Sequence, residues 1–132
     1  MPIETHNPST VHQPGPYTHL VTITGGRLLV LAGQVALDRD GKLVGKDDLR
    51  AQTQQVLENI KAILAAAGAD FSNVVKLTIY VVDYQPAQRQ PIIDTLSAYF
   101  DMTSPPANTL LGVQSLAREE LLIEIDVLAS VD

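Results

Sequence analysis

Apolar and polar positions alternate most regularly from Val74 to Asp83, where Val75, Leu77, Ile79 and Val81 are apolar and Lys76, Thr78 and Tyr80 stand between them. A period of two marks a strand with one face on a core. The pattern returns in a strand expected at about 121–130, where Ile123, Ile125 and Val127 interleave with Glu124 and Asp126. The two acids therefore face away from the main core. Arg27 to Val35 is a nearly continuous apolar run that ends at Gly33-Gln34. Between these strands the period lengthens. Leu49, Val56, Leu57, Ile60, Ile63 and Leu64 fall on one face of a helix from about Asp48 to Ala67, with Asp47 or Asp48 as N-cap and Gly68 as its stop. A shorter helix is predicted from Pro91, a favoured first-turn residue, to Phe100.

The remaining segments are set by turns and prolines. Residues 1–16 contain Pro2, Pro8, Pro14 and Pro16 and read as an extended N-terminal arm. Tyr17 to Thr24 alternates loosely and meets Gly25-Gly26, which predicts a hairpin into the apolar strand. Asp40-Gly41 is a tight-turn pair in the loop from Asp38 to Gly45. Pro105 and Pro106 hold the approach to a strand at about 109–114 extended.

The order is β-β-α-β-α-β-β. It predicts a single α+β domain over 1–132, a sandwich with two helices packed on one face of a mostly antiparallel sheet. The other face carries Lys76, Tyr80, Glu124 and Asp126, and no element is left to cover it. Association of subunits is the economical answer, and closed rings are its usual form.

Composition narrows the partners. With 45% hydrophobic and 18% charged residues the chain is of the ordinary globular kind. Its formal charge is −6, and its nine basic residues form no run, so nucleic acid is not an expected partner. No apolar run reaches the length of a membrane span, and the N-terminus lacks a signal-peptide layout; a cytoplasmic setting and no membrane partner are expected. The absence of cysteine removes disulfides and thiol catalysis.

Several residues admit two readings. Glu124 is either a strand carboxylate satisfied by a partner such as Lys76 or a cleft carboxylate that relays protons. Asp126, on the same face, fits an interface pair as well as a chemical one. No histidine lies near them in sequence, so no metal is expected there. His6, His12 and His19 have spacings that fit no helical ligand pair and read as solvated surface. Tyr17 either anchors the arm or faces a ligand, and Asn108 either bonds to backbone or binds a ligand. Gly33 is either a bend or a place where a ligand approaches the backbone.

Ordered blocks along the chain carry a resemblance. They are Gly15-Pro16-Tyr17-Thr18, Gly33-Gln34-Val35, Gln52 to Lys61, Ala66-Ala67-Gly68-Ala69, Val74-Val75-Lys76-Leu77-Thr78 with Asp83, Tyr99-Phe100, Pro105-Pro106-Ala107 and Ile123-Glu124-Ile125. Together they resemble the YjgF/RidA family, the reactive-intermediate deaminases once labelled as translation-inhibiting endoribonucleases. The resemblance implies a chorismate-mutase-like fold that forms a homotrimer, with sites in clefts between subunits. It implies hydrolysis of small imines and enamines to 2-keto acids and ammonia, with no cofactor. Carried over by residue, Glu124 is the catalytic group that positions water, while Tyr17, Gly33 and the backbone of Leu110 bind substrate.

Two positions depart from the pattern. The family's arginine directly after Pro-Pro-Ala is Asn108 here, and the small thiol often found at the position of Leu110 is absent. Asparagine offers neutral hydrogen bonds where arginine gives a charge-assisted fork, a loss of roughly 1.5–3 kcal/mol, or about one to two orders of magnitude in binding an anion. Arg118, near a turn, is a candidate substitute that nothing in the sequence places in the cleft. The expectation is an enamine or imine deaminase acting on a small molecule bound in part by Asn108. Its alternative is a non-catalytic small-molecule-binding or regulatory trimer using the same cleft.

Overall fold

The computed structural model describes residues 2–132. In chain order the elements are β1 (Ile3–His6), β2 (Leu20–Ile23), β3 (Arg27–Val35), α1 (Leu49–Ala66), β4 (Val74–Val82), α2 (Arg89–Leu96), β5 (Ala107–Val113) and β6 (Ile123–Val131). Four strands form one sheet in the order β3-β6-β4-β5, and β1 and β2 form a separate two-stranded sheet. The β4–β5 pair is parallel, whereas β3–β6, β4–β6 and β1–β2 are antiparallel. Two helices on a mixed, mostly antiparallel sheet make an α+β fold, as the alternation predicts.

Ile123, Ile125, Val127 and Ala129 of β6 are buried with Leu77, Ile79 and Val81 of β4. Against them pack Val56, Leu57, Ile60 and Leu64 of α1, all 0% exposed. Burial of each such aliphatic side chain contributes about 1.5–3 kcal/mol, so this seam is the main source of stability. Ile63, expected on the same helix face, is exposed. The helix starts where Asp48 accepts a bond from the Ala51 N–H at 3.0 Å, and it stops before Gly68, whose φ of 73° suits glycine.

Gln52 is a polar residue in this core, and every bond it needs is made. Its amide donates to the carbonyls of Gly45 and Glu120, both at 3.0 Å, and accepts from the Leu122 N–H at 2.8 Å. These bonds hold the segment that leads into β6, and so they set where β6 begins.

Two expectations are corrected. The strand before Gly25-Gly26 pairs with Ile3–His6 rather than with β3, so part of the expected arm folds back as β1. The glycines serve another purpose: Gly26, at φ 78°, passes so close to the Val131 carbonyl that a Cβ would overlap it. The second helix begins at Arg89, after a 3₁₀ turn opened by Pro86, and ends at Leu96. Pro91 sits in its first turn, where its missing N–H leaves no bond unmade. Among the described residues no helix is long and apolar enough to cross a membrane.

Candidate functional site

β6 runs through the middle of the sheet and carries Glu124 and Asp126 on the face opposite the helices. Their registers put Glu124 across from Val35 and Tyr80, and Asp126 across from Thr78. Between Leu31 and Gln34 the β3–β6 register shifts. There the Glu124 carboxylate lies against Gly33, close enough that a Cβ on Gly33 would overlap it. This irregularity supports the bend reading of Gly33, and the missing side chain is what leaves the carboxylate its place.

Tyr80, which the alternation placed on this face without a role, stands beside both acids. Its hydroxyl donates to Asp126 Oδ2 at 3.1 Å. That bond, the Asp126 charge, burial and the Glu124 charge together hold the phenol above its ordinary pKa. Lys76 is not the partner of Glu124; its Nζ donates to Thr109 Oγ1 at 2.6 Å.

Tyr17, Asn108 and Leu110 form a second cluster. The Gly15-Pro16-Tyr17 turn is joined to the Pro-Pro-Ala segment through Thr18, whose N–H donates to the Pro106 carbonyl at 3.2 Å and whose hydroxyl donates to the Pro105 carbonyl. The turn is thus fastened to the start of β5. On β5, Asn108 pairs with Leu77 and Leu110 with Ile79, which puts both on the helix side of the sheet. With Pro16, Tyr17, Arg89 and Ile93 they line a cleft of about 120 Å³. The Asn108 Oδ1 is out of contact with solvent and has no hydrogen-bond partner. It does not bond to backbone, one of the two readings its sequence position allowed.

Two of the N-terminal histidines gather at Tyr17. His12 Nε2 lies 2.8 Å from the Tyr17 hydroxyl, and His19 Nε2 lies 2.8 Å from the His12 carbonyl oxygen. The rings of His12 and His19 meet edge to face at 4.8 Å. Sequence spacing carried no sign of this, because the segment is irregular and the contacts depend on its turns. His6 lies on β1, outside this group.

Arg89 went unnoticed in the sequence, and Arg118, the candidate cation, is elsewhere. Arg118 Nη1 is 3.4 Å from the Gly41 carbonyl oxygen, beside Leu37 and Leu43. Arg89, the first residue of α2, lines the cleft together with Ile93 one turn on.

The five residues singled out by sequence therefore divide. Glu124 and Gly33 stand on the open face; Tyr17, Asn108 and Leu110 stand on the helix side. The Leu110 side chain does not stand beside Glu124, since its pairing with Ile79 turns it to the other face. Size does not mark either place. A larger cleft, of about 450 Å³, lies between the β1–β2 hairpin and the Phe71–Val74 and Ser104–Pro106 segments. Its wall includes Asp101, held below the ordinary carboxylate pKa by hydrogen bonds from Thr103, and neither Glu124 nor Asn108.

Known proteins share this architecture over nearly the whole chain. The crystal structure of YyfB from Yersinia pestis, of the conserved Rid protein family, has a TM-score of 0.93 and 44% identity, covering 99% of this chain and 100% of that one. RidA from an Antarctic Psychrobacter has a TM-score of 0.71 and 25% identity, with 91% and 92% covered. A RutC family protein of Pyrococcus horikoshii is 40% identical over 116 residues, 87% of this chain and 86% of that one. The family model described as Endoribonuclease L-PSP matches residues 8–131. The chain belongs to this YjgF/RidA/RutC family.

Proposed function

We propose that the protein is a cofactor-independent hydrolase of small imines or enamines, working as a homotrimer with Glu124 handling water. The observation that carries this reading is the seating of the Glu124 carboxylate against Gly33 on a sheet face that no helix covers. A carboxylate packed against Gly33, with the phenol of Tyr80 across the strand pair, suits proton transfer to and from water. As water adds to the C=N carbon, Glu124 takes its proton and passes it to nitrogen, giving a carbinolamine. Collapse of that intermediate forms the C=O bond and releases ammonia.

The division of the candidate residues supports assembly. In one chain Glu124 and the Tyr17–Asn108 cluster lie on opposite faces, so a cleft holding both takes them from neighbouring copies. Leu28 and Val30, 55% and 71% exposed, lie with Leu128 on the open face and supply an apolar surface for such contact.

The test is ammonia release from a panel of enamines by wild type and Glu124→Ala. Turnover by wild type with a loss of at least about a hundredfold in the variant is expected; equal turnover by the two sinks the proposal. The neutral Asn108 favours a second reading, a binding or regulatory trimer that uses the same cleft. Thermal shift by a small-molecule ligand, with no product formed from it, would select that reading.

A further inference from the structure

We infer that Arg89 is the group that selects the ligand, holding a carboxylate in the cleft beside Tyr17 and Asn108. This rests on the proposal above only in taking that cleft as a ligand site. The guanidinium lies over the Gly15-Pro16-Tyr17 turn, where a Cβ on Gly15 would come within 3.2 Å of Nη2. It shares the cleft wall with Tyr17, Asn108 and Leu110. The residue is exposed, and it takes part in no ion pair among the described residues, where the pair present is Lys46 with Glu120.

Other basic residues, Arg27, Arg39, Arg50 and Arg118 among them, also lack an ion pair among the described residues, and what sets Arg89 apart is its place on the cleft wall beside Tyr17 and Asn108. Its fork of donors is left for an outside acceptor, and a carboxylate matches that fork with two parallel bonds. Asn108 gives an independent sign. Gln52, buried in the same molecule, has every polar atom bonded, whereas the Asn108 carbonyl oxygen is shut away from water with no donor against it. A buried polar atom left unmatched is uncommon in a folded protein and calls for a partner the single chain does not provide. A ligand gripped by Arg89 would meet the other end of the amide, because the buried oxygen is closed to solvent; rotation about the last bond exchanges oxygen and nitrogen, so that end can be a donor or an acceptor. The ligand class that fits is a small carboxylate with a polar group next to it. For a C=N hydrolase this means an imine or enamine of a 2-oxo acid.

The charge thus returns from a different element. Position 108 on β5 holds a neutral amide, and the cation comes from the first residue of α2.

Titration calorimetry with pyruvate, which cannot react further, separates binding from chemistry. Wild type, Arg89→Gln, Arg89→Lys and Arg118→Gln would be compared, with pyruvamide as the neutral probe and circular dichroism as the check on folding. Arg89→Gln is expected to weaken pyruvate about ten- to hundredfold and to remove the preference for pyruvate over pyruvamide. Arg89→Lys restores part of the affinity, and Arg118→Gln matches wild type. Equal pyruvate binding by wild type and Arg89→Gln, absence of pyruvate binding by wild type, or loss in Arg118→Gln instead overturns the assignment. Pyruvate binding that needs Arg89, with no ammonia released from any imine, upholds the carboxylate site and removes the hydrolase reading. Ammonia release with the same KM in wild type and Arg89→Gln does the reverse.

Discussion

Gly33 lacks a side chain for reasons of space, since its backbone lies outside the left-handed region. Gly33→Ala places a methyl group where the Glu124 carboxylate now lies, and one of the two must move. Overpacking of this kind costs about 1–3 kcal/mol, which urea unfolding would measure. On the proposed mechanism, displacing this carboxylate by about 1 Å is expected to lower ammonia release roughly a hundredfold. A variant that is less stable but fully active would show that the carboxylate can relocate without loss. The sequence marked Gly33 and Glu124 separately, one as a strand end and one as an alternating acid. Their contact was not legible, because it depends on a register irregularity between strands about ninety residues apart in the chain.

At the scale of elements, the turn after α2 is tied to α1 by Tyr99, whose hydroxyl donates to Glu58 at 2.8 Å. Burial, followed by the bond to Glu58 and its charge, pushes the Tyr99 pKa up to about 12 from an ordinary 10.0. The folded state thus keeps the phenol protonated where the unfolded chain has begun to lose the proton. This stabilisation is complete below pH 10 and is lost as pH rises through about 12. Tyr99→Phe is expected to remove the hydrogen bond at neutral pH, costing about 1 kcal/mol, and to flatten the fall in stability between pH 10 and 12. Thermal melts across that range would show it; parallel curves for both proteins would contradict it.

Elements differ in how openly the sequence announces them. β4 and β6 were legible because one face of each is wholly apolar. β2 was misassigned because a Gly-Gly pair permits a hairpin without requiring one, and clearance of the Val131 carbonyl uses the same glycines. The start of α2 was placed late because Pro91 suits a first turn at more than one position within it. That small displacement hid Arg89, which shares a cleft with Asn108 only in the folded chain.

On the scale of the molecule, the open sheet face decides whether the two residue clusters can act together. Val30→Glu puts a charge in the middle of the apolar part of that face. Burying a valine side chain contributes about 1.5–3 kcal/mol, and burying a carboxylate in its place is strongly unfavourable. Sedimentation is expected to give monomers for this variant and trimers for wild type, with unchanged circular dichroism. Ammonia release should fall with the trimer. A monomeric wild type, or an active monomeric variant, would count against a cleft built from neighbouring copies. The uncovered face was legible from alternation alone, whereas the parting of Asn108 from Glu124 required the β4–β5 register.

The strand order also governs when the fold can exist. β6 lies between β3 and β4, yet it is the last of the eight elements in the chain. During synthesis β3 and β4 leave the ribosome with no strand to join them, and the apolar side of each waits uncovered. Helix α1 is synthesised before β6 and until then has no complete sheet to rest on. The sheet therefore closes in one late event, when Ile123–Val131 emerges and bonds to both neighbours. A ribosome stalled before that point holds an adhesive, unfinished chain, and such chains are the natural clients of chaperones.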